Sequence, residues 1–251
     1  MTGLVLDAHV HCGLTLPYEN IAQQWRSAGI NGGVLFSPVE EIYNRYDPRF
    51  IDSAEYAQSR DQVHHYLADL AADPSLIPYY FVWNDFSPIP DGFRGIKWHR
   101  HPDEPVYHYG APGCARIIDD ICRRRLPIVL EEEFRNTLAF IRRIEGRTVV
   151  IIPHLGALNG GYYQLKNAGV FEADNIWTDT ALAGRAEIED FARTYGTDRL
   201  LFGSDYPFGI PAHARRKVVG AFDGPELDAV LGGNVVRLLG LEHLKGRSET
   251  V

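Results

Sequence analysis

The chain has 251 residues, 45 % of them hydrophobic, which is enough for one sizeable core and makes a single domain over 1–251 the expectation. With 33 acidic against 25 basic residues the net charge is −8, which argues against nucleic acid or an anionic membrane as the partner and points to a small molecule. No apolar run approaches the roughly 18 residues of a membrane span and no leader-like segment opens the chain, so a cytoplasmic location is expected, in keeping with three cysteines (Cys12, Cys114, Cys122) that form no CxxC pair.

Short β-rich runs alternate with longer helical ones. LVLDAHV precedes YENIAQQWRSAG, and GGVLFS precedes a stretch ending in SAEYAQSRDQVHHYLADLAADP. LIPYYFVW and RGIKWH follow, separated only by NDFSPIPDGF, which leaves room for little or no helix. LPIVLEE, TVVIIPH, NIWTDT and RLLFGSD then alternate with CARIIDDICRRR, TLAFIRRIEG, the GGYYQLKNAG region and RAEIEDFARTYG, and two further helical runs close the chain. Strands separated by crossover helices are parallel, and eight in series predict a (β/α)8 TIM barrel, with a short or missing helix between the third and fourth strands.

Side chains alternate across a strand, so Val5, Asp7, His9 and His11 are expected on one face and Leu4, Leu6, Ala8 and Val10 on the other. The second set is wholly apolar and is expected to face the helices. That turns Asp7, His9 and His11 inward and puts the histidines at the carboxyl end of the strand, where active sites sit in such barrels. The same rule groups Gly95, Lys97 and His99; Val129 and Glu131; Val150, Ile152 and His154; and Leu201, Gly203 and Asp205. Each run ends in a polar side chain.

Five strands that deliver His, Lys, Glu, His and Asp to one rim are hard to explain as core packing, because unpaired buried charge costs several kcal/mol. Two readings are open. One is a divalent metal site, for which imidazoles and carboxylates suit zinc, with manganese, iron or nickel behind it. The other is a metal-free salt-bridge network, with Lys97 against Glu131 or Asp205.

DAHVH, SLIPYYFVW, RGIKWH, IIPHLG, LLFGSDYP and GGNVVRLLGL, in that order along nearly the whole chain, resemble the amidohydrolase superfamily, and within it the amidohydrolase-2 group related to aminocarboxymuconate semialdehyde decarboxylase. The resemblance implies a metal-dependent TIM barrel holding one divalent ion, usually zinc, with His9, His11 and Asp205 among the ligands. It also implies that His154 is a general base or polarises the substrate. Many members have histidine where this chain has Glu131, which leaves Glu131 as an oxygen ligand or as a proton-transfer or substrate group. The expected metal set is His9, His11, Glu131, His154 and Asp205, with Asp205 and His154 catalytic.

Lys97 is expected to bind a substrate carboxylate or to pair with an acid, His99 to touch substrate, and Asp179 to line the pocket from the seventh strand. Asp7 is expected below the histidines as a hydrogen-bond partner. His101, His108, Arg100 and Tyr107 fall in a loop rich in His, Tyr, Pro and Gly, while His64 and His65 read as structural. The leading function is hydrolysis of a small carboxylated or cyclic lactone, amide or ester. The alternatives are a nonoxidative decarboxylase, and a noncatalytic barrel that lost its metal when Glu131 arose. Dimers are common in such families, so a homodimer is an expectation that no sequence feature marks.

Overall fold

The computed structural model describes residues 3–244, so the expectation of one domain over 1–251 reaches past the described residues at both ends. Eight parallel strands run in chain order: β1 (Leu6–His11), β2 (Gly32–Phe36), β3 (Leu76–Phe81), β4 (Gly95–His99), β5 (Ile128–Glu131), β6 (Val150–Ile152), β7 (Ile176–Asp179) and β8 (Leu200–Leu201). The ring closes through the main chain. Ala8 N–H donates to Phe202 O at 2.8 Å, Asp205 N–H to His9 O at 2.8 Å, and His11 N–H to Tyr206 O at 3.0 Å. This is the (β/α)8 barrel the alternation predicts.

The crossovers are α1 (Tyr18–Ala28), α2 (Ala54–Leu70), α3 (Pro112–Arg124), α4 (Phe134–Ile144), α5 (Tyr162–Asn167) and α6 (Arg185–Tyr195), with α7 (Pro211–Ala221), α8 (Gly224–Asp228) and α9 (Asn234–Leu239) after β8. Residues 82–94, between β3 and β4, hold no helix. Where helices form, apolar spacing sets the buried face: α3 turns Cys114, Ile117, Ile118 and Ile121 inward while Arg123 and Arg124 sit in its last turn, complementing the helix dipole. No helix among the described residues is long and apolar enough to cross a membrane.

Two apolar layers follow. Leu6, Ala8, Val34, Ile77, Val129, Ile151, Trp177 and Leu201 fill the barrel, closed below by Val235, Val236 and Leu239. Val5, Val10, Leu35, Ile96, Trp98, Ile128, Leu130, Val150 and Ile152 instead pack outward on helix residues such as Trp25, Val63, Ile117 and Phe140.

This layering corrects the expected faces at two strands. In β1, Leu6 and Ala8 point into the barrel, and Asp7 points the other way, accepting from Trp25 Nε1–H of α1 at 3.3 Å. The cause is an extra residue. Asp7 pairs with Gly33 but Val10 pairs with Leu35, so three steps on β1 match two on β2 and the alternation shifts before His9. The bulge crowds its neighbour: a Cβ on Gly33 would lie 2.1 Å from the Asp7 carbonyl oxygen, so only glycine fits there.

In β6, Val150 and Ile152 face outward, so strict alternation would send His154 to the helices. The strand ends at Ile152 instead, and His154 and Leu155 adopt φ values of 57° and 51°, which swings the imidazole over the barrel mouth. The expected faces of β4, β5 and β8 stand: Ile96, Trp98, Ile128, Leu130 and Phe202 face the helices while Val129 and Leu201 face in.

Candidate active site

His9 and His11 end β1, and the ring of Phe36 from β2 meets both edge-on, at 4.8 and 4.9 Å. The second nitrogen of each imidazole is taken. His9 Nδ1–H donates to Asp179 Oδ2 at 2.8 Å and His11 Nδ1–H to the Ser37 carbonyl at 3.3 Å. Their Nε2 atoms both lie 3.3 Å from one carboxylate oxygen, Asp205 Oδ1.

Burial and then the nearby Lys97 charge push His9 down to about 4, against the pull of Asp179 and Asp205. Burial also lowers His11. Burial works against ionising Asp205, but positive charge and protons on the imidazoles around it, His9 first and then His11 and His154, outweigh burial and hold its carboxyl far below the usual range; with His9 and His11 neutral, that charge has to come from His154 or from a cation.

Two neutral imidazoles with their protons committed elsewhere therefore turn lone pairs toward an ionised oxygen. His9 Nε2 and Asp205 Oδ1 are buried and make no hydrogen bond. Lone pairs converging without a proton between them are repulsive, and a cation relieves the repulsion. The residues fit a divalent ion, with His9, His11 and Asp205 as one group of donor atoms lying within 4.8 Å of one another.

His154 sits beside this group, Nε2 3.4 Å from Asp205 Oδ2 and ring centroid 4.7 Å from that of His9. Burial pulls its pKa down, but the Asp205 bond with the Glu131 and Asp179 charges gives a net rise. His9, Glu131 and His154 form a second set of donor atoms within the same reach. Glu131 is heavily engaged, however. Lys97 Nζ donates to its Oε2 at 3.0 Å, and His101 Nε2 lies 2.5 Å from its Oε1.

Lys97 is fully buried, with Nζ 4.5 Å above the Phe36 ring, so the structure gives it the pairing role and takes it out of substrate reach. His99 is 3 % exposed, set between Glu131 (Nδ1 to Oε1, 3.3 Å) and Glu104 (Nε2 to Oε2, 3.4 Å). Burial lowers its pKa, but these two carboxylates outweigh burial and raise it. Arg45 donates to His101 Nδ1 at 3.2 Å, which fixes the proton of a neutral His101 on Nε2, facing Glu131.

Asp179 was expected to line the pocket. It is fully buried, one oxygen on His9 and the other accepting the main-chain N–H groups of His154 (2.9 Å) and Ala181 (3.0 Å), so it supports the imidazoles from below. Asp7 meets neither ring. Its Oδ1 accepts from Ser204 N–H at 2.8 Å and His9 N–H at 3.3 Å, tying β1 to the end of β8, and burial raises its pKa to about 7.

Glu132 faces away from the site, bound by Arg100 Nε at 2.9 Å and Tyr109 Oη at 2.8 Å. His64 is structural: its Nε2 accepts Phe81 N–H at 3.2 Å. Sequence reading missed Arg45, Tyr43 and Glu104, which reach the site from two loops. Tyr43 Oη donates to Glu104 Oε2 at 2.7 Å, and Arg45 also pairs with Glu104. No spacing rule marks them, because irregular backbone places them.

A cavity of about 140 Å3 opens over these groups, lined by His11, Arg45, His99, His101, Glu131 and Asp205 together with the apolar Leu158, Leu182 and Phe208. A larger concavity, about 950 Å3, lies at the opposite end of the barrel, where Arg123 and Arg147 line it. Those two arginines pair with Asp120 and Asp119.

The barrel has many relatives in shape. A 2,6-dihydroxybenzoate decarboxylase from Rhizobium is 15 % identical, with a TM-score of 0.70 over 96 % of this chain and 99 % of that one. A proposed 2-pyrone-4,6-dicarboxylic acid hydrolase from Pseudomonas putida is 16 % identical, TM-score 0.70, over 95 % and 98 %. A dihydroxybenzoic acid decarboxylase from Polaromonas sp. JS666, with bound manganese and the inhibitor 2-nitroresorcinol, is 14 % identical, TM-score 0.67, over 95 % and 97 %. At these identities the likeness concerns the fold. No curated protein matches the chain. Residues 91–241, more than half of the chain, match the family model described as Amidohydrolase. The chain belongs to that family, in its amidohydrolase-2 group, and is an enzyme of the metal-dependent amidohydrolase superfamily.

Proposed function

We propose that the chain is a metal-dependent hydrolase of a small cyclic or carboxylated lactone, amide or ester. On this reading one divalent ion, zinc first, is held by His9, His11 and Asp205, with Glu131 as a further donor and His154 left free to carry a proton, and the enzyme works in the cytoplasm. The observation that carries it is the buried meeting of His9 Nε2 and His11 Nε2, each 3.3 Å from Asp205 Oδ1, with His9 Nε2 and Asp205 Oδ1 making no hydrogen bond. A bound ion of this kind supplies a Lewis acid and lowers the pKa of water toward neutrality. Asp205, held ionised, is then the acceptor for a proton, and His154, 3.4 Å from its Oδ2, delivers one from Nε2 to the departing group.

One observation favours a second reading, nonoxidative decarboxylation. Both ring nitrogens of His154 are buried without a hydrogen bond and its Nε2 lies 3.4 Å from Asp205 Oδ2, which puts a proton carrier at the mouth, and decarboxylation needs one: the C–C bond breaks, CO2 leaves, and a proton from His154 closes the electron pair as a C–H bond. The decarboxylases that share this fold support that option.

Elemental analysis of protein purified without chelators tests the metal: about one equivalent is expected, lost in His9→Ala, and no metal in the wild type would overturn the proposal. Product analysis on any turned-over substrate separates the chemistries, a newly exposed acid for the hydrolase and CO2 for the decarboxylase.

A further inference from the structure

Three loops at the barrel mouth hold large apolar side chains out of the core. Leu158, Leu182 and Phe208 follow β6, β7 and β8 and remain 39, 49 and 62 % exposed. All three line the cavity of about 140 Å3 that His11, Arg45, His99, His101, Glu131 and Asp205 also line. A cavity of roughly 150 Å3 suffices for one benzene ring, so this space takes a single small ring between polar groups and hydrocarbon, with a second cavity of about 240 Å3 sharing His11, Arg45 and Phe208.

Leu182 is held there at a cost. Its φ is 53°, and it is the apex of a tight turn closed by Ala183 N–H to Ala181 O at 2.5 Å. A non-glycine residue at the apex of such a three-residue turn is rare and strained. The fold buries little of this side chain in return, so the strain aims the leucine at whatever occupies the mouth. Phe208 crosses the same opening, its ring edge-on to His11 at 5.5 Å.

The cations around the cavity are all engaged. Lys97 is on Glu131, His101 also on Glu131, Arg45 on Glu40 and Glu104, and His99 lies between Glu104 and Glu131. A second acidic group on a bound ring would therefore meet hydrocarbon or another carboxylate. To the extent that the ring and the wall cover that group, losing its water without a partner costs up to several kcal/mol.

We propose that Leu158, Leu182 and Phe208 form a specificity wall that admits a ring bearing one acidic group and rejects a ring with a second acid at the far edge. This rests on the reading of the site as a metal-dependent centre for small cyclic or carboxylated molecules. It adds which edge of the substrate is read, and by which residues.

The test is calorimetric titration of the full chain, loaded with one equivalent of Zn2+, with benzoate, isophthalate and terephthalate. Benzoate is expected to bind at least tenfold more tightly than either diacid. Leu182→Asn and Phe208→Ser should each weaken benzoate several-fold with zinc stoichiometry unchanged, and Leu182→Arg should narrow or invert the preference by offering the second acid a partner. Leu182→Gly, which relieves the turn, should keep or raise Tm while it weakens benzoate, an outcome that a purely structural role for the leucine does not give. Diacids binding as well as benzoate, or wall variants that leave the benzoate Kd unchanged, overturn the proposal. Zinc held and benzoate refused sinks the wall alone; zinc not held sinks the metal-centre reading and the wall with it.

Discussion

Asp179 Oδ2 lies 2.8 Å from His9 Nδ1, and Asp179 Oδ1 accepts the main-chain N–H of His154 at 2.9 Å. One buried carboxylate thus fixes the tautomer of one imidazole and the backbone of another. Outer hydrogen-bond partners of this kind set metal affinity by orienting the donors. Asp179→Asn is expected to weaken metal binding by about 10- to 100-fold while far-UV circular dichroism stays that of the wild type. An unchanged metal Kd would remove Asp179 from the supporting role.

A site that concentrates lone pairs should be stabilised by what neutralises them. Added divalent cation at about a hundred times its Kd is expected to contribute roughly 2.7 kcal/mol to the folded state, which raises Tm by roughly 5–10 °C in a chain of this size. Asp205→Asn should abolish both this shift and turnover while the barrel core, which lies below the rim, keeps its fold. If zinc or manganese left Tm of the chelator-treated wild type unmoved, the cation site would be wrong.

The pair Lys97–Glu131, 3.0 Å apart and 0 and 3 % exposed at the side chain, stands over the Phe36 ring. Removing one partner strands a buried charge, so Lys97→Met is expected to cost toward the lower end of about 3–5 kcal/mol, because His99 and His101 still face Glu131. Lys97→Met with Glu131→Gln should recover most of the loss. Urea unfolding measures both, and a double variant no more stable than the single one would mean that the pair is not the unit that matters.

His64 stacks on Tyr80 at 4.1 Å and accepts Phe81 N–H, a role open only to the neutral ring. Burial first, then the Arg60 charge, push its pKa from 6.5 to about 3. The unfolded chain binds a proton at this group from pH 6.5 downward and the folded one does not, so its contribution to stability is lost as pH falls from about 6.5 toward 3. Between pH 6.5 and 5, Tm of His64→Gln should fall less steeply than that of the wild type. Parallel curves for the two proteins would assign the acid sensitivity elsewhere.

Much of this was legible in the sequence because it depends on local periodicity. Eight β-rich runs divided by crossover-length segments give the barrel, and the period of two correctly turned Lys97 and Glu131 toward one mouth, whereas Asp205 lies past the end of β8 with a φ of 56°. The short NDFSPIPDGF segment gave the missing helix. The motif order pointed to the family that the match over 91–241 shows, which leaves the noncatalytic barrel without support. His9 and His154 were placed at the mouth for the wrong reason. The bulge at Asp7 and the left-handed turn at His154 each break the alternation, and neither is written as a periodicity.

What the sequence alone determined is the set of strands, the end of the barrel where chemistry collects and the residue types delivered there, because hydrophobic patterning acts over a few neighbouring residues. Only the tertiary structure decided the pairings: Asp179 with His9 across 170 positions, Lys97 with Glu131 across 34, Tyr43 with Glu104 across 61, and three apolar side chains from three loops over one small cavity. Buried charge is stable only beside its opposite, and which opposite it meets is settled when the ring of strands closes and brings distant loops within hydrogen-bond reach.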